Sequence, residues 1–385
     1  MNEYNLIIDN NIRRMCDAIY EQAEIVSING GNNGPYYDKE TPIRNMSHLL
    51  VIASEYYAHK KEQKYLDVIV KLADEIVSSE FCSTYYVYKC READGKDVVN
   101  GTIGAAWIIE GLVAAYDATR DDKYLLHAFD MFNALEFDEE YKLWHRADLD
   151  GSKLSIDATF NHQLWFAMAG ALLVSRRENE KVHAEVKGFL EGLTLNLKIH
   201  RNGLICHSTR SDKYGAKTAL LFWGRDVYDR IKGQLKLPSK TYKEQGYHAF
   251  NVYAFAKIYD NGFGEHNFFK TDVFKKILNY TFSEELYNQL SKCSKKSDGT
   301  HVKSKINAEF NVFSYSYNSP AFELPYINMI FEVGNRTICD KYLERQFEYT
   351  YDEVQGGFYK NTDDPETLNV RLYEYIYKNK EFWLA

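Results

Sequence analysis

Apolar positions along this chain fall into two alternating kinds of segment. One kind, near residues 4–26, 63–79, 122–135, 180–197, 268–280 and 339–349, carries an apolar stripe and an opposite charged face at helical spacing. The other, near 45–57, 102–118, 158–174, 247–259, 321–333 and 370–377, has few charges and many small residues on every side. A striped helix faces solvent along one side, whereas a helix that is apolar nearly all round is buried on both. Six of each in strict alternation predict an all-α fold, an (α/α)6 toroid of six inner helices ringed by six outer ones. The ring is expected to take up residues 1–385 as one domain, with an open α-solenoid as the structural alternative.

A repeat supports that expectation. The segments IASEYYAHKKEQKYLDVIVKLADEI, LVAAYDATRDDKYLLHAFDMFNAL and LLVSRRENEKVHAEVKGFLEGL share one plan: a helix, a short charged turn and a second helix. Their turn lysines, Lys64, Lys123 and Lys181, are spaced by 59 and then 58 residues (123 − 64 and 181 − 123). Fainter copies surround Phe268 and Lys341. Helical pairs at a fixed period are the mark of an array or a ring. Inner-to-outer turns are short (HKKEQ, TRDD, RRENE), while outer-to-inner links are long and hold the Gly, Asn, His and Trp. Short hairpins are expected in those links, as in YKLWHRADLDGS. Long loops on one face of a rigid scaffold are where function concentrates. They lead into the N-termini of the inner helices, so that rim is the expected mouth of a central pocket. Free N–H groups and positive dipole ends there favour hydroxylated or anionic ligands.

Composition narrows the partners. A net charge of −8 argues against a nucleic-acid surface. No run approaches eighteen apolar residues, so no membrane span is expected, and the N-terminus lacks the pattern of a signal peptide. The cysteines Cys16, Cys82, Cys90, Cys206, Cys293 and Cys339 are scattered without metal-type spacing, as in reduced thiols of a cytoplasmic protein. Neither metal nor cofactor is expected, and the chain is read as a monomer or homodimer that acts on a sugar or oligosaccharide.

The candidate site residues all sit at the predicted mouth. Asp157, Asn161 and Trp165, at i, i+4 and i+8, would share one face: a carboxylate, an amide and a stacking ring in a row. An N-terminal cap is the bland alternative for Asp157. The fourth inner helix opens with Gln245, His248 and Asn251, the fifth with Asn318 and Glu323, the second with Thr102 and Trp107. The hairpin adds Trp144 and Arg146, and Arg371 lies on the last inner helix. Either arginine would suit a uronic acid. His162 is a second imidazole, expected to turn about 140° away from Asp157 if both are helical.

These residues resemble a known family. The pattern I-D-x-x-x-N-x-x-L-x-x-A over Ile156–Ala167 resembles the motif around the catalytic aspartate of the unsaturated glucuronyl hydrolases, which with their rhamnogalacturonyl relatives are (α/α)6 barrels. GYHAFNVYAFAKIY is similar to their RGQAWAIYGFA helix, with His248 in place of Gln, and NSPAFE and ATRDDKYL are similar to two further stretches. The resemblance implies a hydrolase of uronic-acid-containing oligosaccharides, with Asp157 as acid/base and His248 assisting. The family's acidic residue in the second inner helix is replaced here by Thr102 and its neighbours. EQGYHAFNVYAF also resembles the PGH-containing helix of the N-acylglucosamine 2-epimerases, which implies a sugar 2-epimerase using His248 and His162. A sugar-binding protein of glycan or polysaccharide assembly without catalysis is the third alternative.

Overall fold

The periodic lysines prove to be the joints of the architecture. A computed structural model describes residues 3–21, 32–33, 38–209, 241–290 and 320–360. Among them, α1 (Glu3–Glu21) precedes the pair α2 (Ile43–Lys60) and α3 (Gln63–Val77). The next pairs are α4 (Gly101–Thr119) with α5 (Asp122–Asn133), and α6 (Phe160–Arg176) with α7 (Glu180–Asn196). Then come α8 (Thr241–Ile258), α9 (Asp272–Thr281), α10 (Glu284–Leu290), α11 (Pro320–Ile330) and α12 (Arg336–Thr350). Lys64 at the start of α3 reaches back to Asp17 on α1 at 2.9 Å. Lys123 on α5 reaches Asp74 on α3 at 2.8 Å, and Lys181 on α7 reaches Asn133 on α5 at 3.0 Å. Lys341 on α12 pairs with Glu284 on α10. The outer helices α3, α5 and α7 thus each latch onto the one before. Exposed pairs of this kind contribute at most about 1 kcal/mol each, so they set register more than stability.

Burial supplies the stability. On α3 the buried positions Tyr65, Val68, Ile69, Leu72, Ala73 and Ile76 form one stripe, as its apolar spacing predicts. On α4 nearly every residue from Gly101 to Val113 is buried. The inner helices α2, α4, α6, α8 and α11 each pack on the next, with α3, α5, α7, α9 and α12 behind them. Gly111 permits the close approach of α4 to α2, since a Cβ there would lie 2.9 Å from the Ser47 carbonyl oxygen. Leu50, Ile52 and Leu112 are fully buried between the layers, each worth about 1.5–3 kcal/mol. The array returns to its start: Arg14 on α1 donates to the Gln355 carbonyl at 2.8 Å, and Tyr4 packs on Phe347 of α12 with ring centroids 4.3 Å apart.

The links differ as expected. Lys61 and Arg120, both left-handed, end α2 and α4 and turn the chain tightly into the next helix. Of the long links, one holds the two-stranded β1 (Asn32–Asn33) and β2 (Asp38–Lys39). Another folds into the antiparallel sheet β3 (Phe137–Asp138), β4 (Leu143–Ala147) and β5 (Lys153–Ile156). The helix expected over 370–377, with Arg371, and the candidate Asn318 lie outside the described residues. Among the described residues, no helix is long and apolar enough to cross a membrane.

Candidate functional site

The site begins with two residues in an unusual backbone conformation. Asn100 and Gly101 enter α4 with φ of 60° and 63°, where Asn is tolerated and Gly costs least. A Cβ on Gly101 would lie 2.2 Å from Asp157 Oδ2 and 2.5 Å from His162 Nδ1. The missing side chain is therefore the room into which those two groups fit.

Asp157 lies between β5 and α6, before the helix rather than on it. The predicted shared face thus holds for Asn161 and Trp165 but not for Asp157. Its carboxylate accepts from the Thr159 N–H at 3.0 Å, from the Thr102 N–H at the start of α4 at 3.1 Å, and from His162 Nδ1 at 2.8 Å. Burial raises its pKa, but the charge and hydrogen bond of His162 and the two N–H donors outweigh it and hold the group at about 2. Asp157 is therefore ionised and can only accept, which obliges His162 Nδ1 to donate. Whenever the ring is neutral, its lone pair is then on Nε2. The expected 140° separation fails because Asp157 is not helical, and the two side chains touch. Gln163 fixes the frame, donating to the carbonyls of Trp144 (2.7 Å) and Asp157 (3.0 Å) and accepting the Trp144 N–H (2.8 Å).

His162 keeps 22% of its side chain exposed and, with Asn100, Ile103, Trp107, Asn161, Tyr247 and Phe250, lines a pocket of about 40 Å³. These residues come from the N-terminal parts of α4 and α6 and from α8, so the pocket occupies the predicted mouth. Asn161 Oδ1 in its lining, and Thr102 Oγ1, Trp165 Nε1 and Asn251 Oδ1 on the same helices, are buried and find no hydrogen-bond partner among the described residues. Unsatisfied buried polar atoms cost about 1–3 kcal/mol each, and native folds keep few of them without a use. Trp165 stacks on Phe250 with centroids 4.2 Å apart, its indole beneath the pocket's own ring.

Other candidates lie elsewhere. His248 does not face Asp157 across a shared hollow. Its Nδ1 accepts the Ile205 N–H at 3.3 Å and its Nε2 contacts Thr281 Oγ1 at 3.1 Å, between α8 and α9. Burial pushes its pKa down to about 3, so it is neutral. Trp144 is fully buried against Phe132, Phe137, Phe166 and Phe189, with its indole N–H on Glu185, and fills the space between layers. Gln245 bonds to Gln289 of α10 at 2.7 Å. Arg146 stays at the rim, on Asp97 at 3.0 Å and Ser155 at 2.9 Å, and Asp97 also accepts the Gly101 N–H at 3.1 Å. Glu323 is fully buried on α11. Gly101, Tyr247 and His48 escaped the sequence reading. Tyr247 takes the pocket position one residue before His248. His48, on α2 with its ring edge-on to Trp107 at 5.5 Å, carried the same signal as Asn251, a polar residue in an apolar inner helix.

A second cavity of about 110 Å³ lies at the other end of the inner helices. Ser54, Glu110, Asp117, Arg176 and Lys257 are among its lining residues. Lys257 and Glu110, 1% and 3% exposed, face each other at 3.6 Å and tie α8 to α4.

No family model matches the chain. The archaeal glycosylation protein Q of Haloferax volcanii is 32% identical to it over 357 residues, covering 90% of this chain and 91% of that protein. The cellobiose 2-epimerase structure from Bacillus thermoamylovorans B4167 superposes with a TM-score of 0.64 at 13% identity, over 98% of this chain and 100% of the other. An unsaturated glucuronyl hydrolase specific for heparin superposes with a TM-score of 0.57 at 11% identity, over 99% and 98%. At such identities the likeness establishes the fold alone, the (α/α)6 toroid.

Proposed function

Because this chain belongs to the family of the archaeal glycosylation protein Q, we propose that it is a carbohydrate-active enzyme of glycosylation that moves a proton on a sugar through His162, with Asp157 holding the imidazole in place. One observation carries this: a half-open imidazole on the mouth pocket, bonded through Nδ1 to a buried, ionised carboxylate. Such a pair leaves Nε2 as a base in a fixed direction and stabilises the imidazolium once the proton is taken, a contribution of roughly 10²–10⁴ in rate.

The chemistry it suits is removal of the C–H proton next to the carbonyl of an open-chain sugar. The C2 proton passes to Nε2 as the electron pair forms the enediolate; the hydroxyl proton shifts from O2 to O1, and Nε2 returns its proton to C1. Among the described residues one imidazole lines this pocket. Removal and return then occur on one face, the stereochemistry of aldose–ketose interconversion; inversion at C2 calls for a second group on the opposite face. Thr102, Asn161, Trp165 and Asn251 supply the buried donors and acceptors that sugar hydroxyls would satisfy. The epimerases and isomerases among the structural neighbours lend the same support.

A uronyl hydrolase is the second alternative, favoured by the motif around Asp157. It calls for a carboxylic acid that donates a proton near neutral pH, which a group held at about 2 does poorly. The test is incubation with reducing sugars in D₂O. Deuterium appearing at C1 or C2, and lost in His162→Gln, is the expected result. Bleaching of the double bond of an unsaturated uronyl disaccharide without exchange would favour the hydrolase instead. Sugar binding with neither event would leave a non-catalytic binding protein and overturn the proposal.

A further inference from the structure

On the flank of α8, a second set of side chains meets that the proton-transfer chemistry does not use. His200 and Cys206 stand on the two arms of a small hairpin, joined by the Ile199–Ile205 bridge, and Glu244 comes from the first turn of α8. Their ligand atoms all lie within 4.8 Å of one another. We propose that His200, Cys206 and Glu244 bind one divalent transition-metal ion of the zinc type, with water completing the coordination. This proposal stands apart from the assignment of His162.

The donor set sets the class of ion. An imidazole, a thiolate and a carboxylate are a borderline mixture that zinc and its neighbours accept, whereas magnesium and calcium take oxygen alone. Tetrahedral zinc with bonds of about 2.0–2.3 Å holds its ligand atoms about 3.3–3.8 Å apart. His200 Nε2 and Glu244 Oε2 are at 2.6 Å, so the ion would part them by about an ångström and draw in the thiol, a rotamer-scale adjustment. The supports are in place. The second oxygen of Glu244 accepts the His207 N–H at 3.0 Å, which aims the carboxylate. The hairpin is fixed by His200 N–H to the Leu204 carbonyl (2.8 Å) and Cys206 N–H to the Lys198 carbonyl (2.9 Å). Cys206 is 8% exposed, while the His200 side chain is 37% exposed and gives the ion a way in. No sequence motif marks the site, because His200 and Glu244 are 44 residues apart.

The consequence would be positional. The hairpin is stitched to the segment after Asp157 by Phe160 N–H to the His207 carbonyl and Thr209 N–H to the Ala158 carbonyl, both 2.9 Å. An ion held by His200, Cys206 and Glu244 would clamp α8 to that segment, and so brace two walls of the mouth.

Titration of the chelator-stripped protein with Co²⁺ tests this. The expected result is one bound equivalent and a near-ultraviolet thiolate-to-cobalt band that Zn²⁺ displaces, with the band lost in Cys206→Ser and stoichiometric binding lost in His200→Ala. Absence of a stoichiometric band, or one that persists in both variants, would overturn the site. Should Cys206→Ser fail to fold, the half-exposed His200→Ala decides by itself: unchanged Co²⁺ binding would refute the proposal.

Discussion

The two ends of the ring use polar groups in opposite ways. At the mouth, Asp157 and His162 are bonded to each other, yet the ring of His162 reaches a pocket, and four buried polar atoms around it find no partner among the described residues. At the other end, Lys257 and Glu110 are almost wholly buried and face each other across the inner helices. The first arrangement leaves an oriented imidazole open to a pocket; the second joins α4 to α8. The larger of these two cavities is at the second end, so size alone would have pointed to the wrong rim. What distinguishes the mouth is an oriented titratable group, the His162 ring held by Asp157, that reaches the pocket.

Substitutions that separate the two ends should sharpen this contrast. The largest effect is expected for His162→Gln, with turnover down by roughly 10²–10⁴ and thermal unfolding little changed; steady-state exchange kinetics beside calorimetry would check it. A comparable loss of turnover from Lys257→Met, corrected for folded protein, would break the contrast. That variant is instead expected to destabilise by about 3 kcal/mol, because it removes the cation that faces a buried carboxylate at 3.6 Å, while Glu110→Leu/Lys257→Met recovers most of the loss. Denaturant titration of the single and double variants reads both.

A smaller effect belongs to pH. The folded His248 imidazole resists protonation down to about 3, while the unfolded one takes a proton near 6.5, so the unfolded chain binds more protons between these values. Stability from this group is therefore present above about 6.5 and is lost as pH falls towards 3, at up to about 1.4 kcal/mol per pH unit. Asp157 adds to the same acid loss only lower, as pH falls from the ordinary 3.8 towards 2. In His248→Gln the slope of stability against pH should flatten above 4, whereas proton exchange at the mouth should be unaffected. A small change in stability is expected for Trp165→Phe. Its indole N–H has no partner to lose among the described residues, so folding loses only the packing of the smaller ring, about 1 kcal/mol, while sugar affinity weakens severalfold; a stability loss as large as that of Lys257→Met would show that the indole is structural after all.

Much of this was legible beforehand, and the misses share a cause. Alternating stripes and the lysine period located the helices, the hairpin and the rim where the candidate pocket lies. Asn161 and Thr102 stood out as candidates because amides and hydroxyls are rare in apolar helices, and Asp157 because it precedes such a helix. Trp144 and His248 were misplaced because composition says that a ring or imidazole is present, but not which layer it faces. Both sit on the far side of their segments, where Phe189 and Thr281 receive them. His162 was expected to turn away from Asp157 on a helical-wheel angle that does not apply, because Asp157 lies three places before the helix begins.

The amino-acid order alone determined the ring: local periodicity in each segment states which helices are buried on both sides, and their alternation leaves little choice of packing. Only the tertiary structure decided the chemistry. Asp157 became a fixed anion by accepting an N–H from the start of α4, 55 residues away in the chain, and through Gly101 that same helix made room for His162. Helical periodicity is written within a few turns of chain, but a pKa and a free ring nitrogen are set by neighbours brought together across the fold.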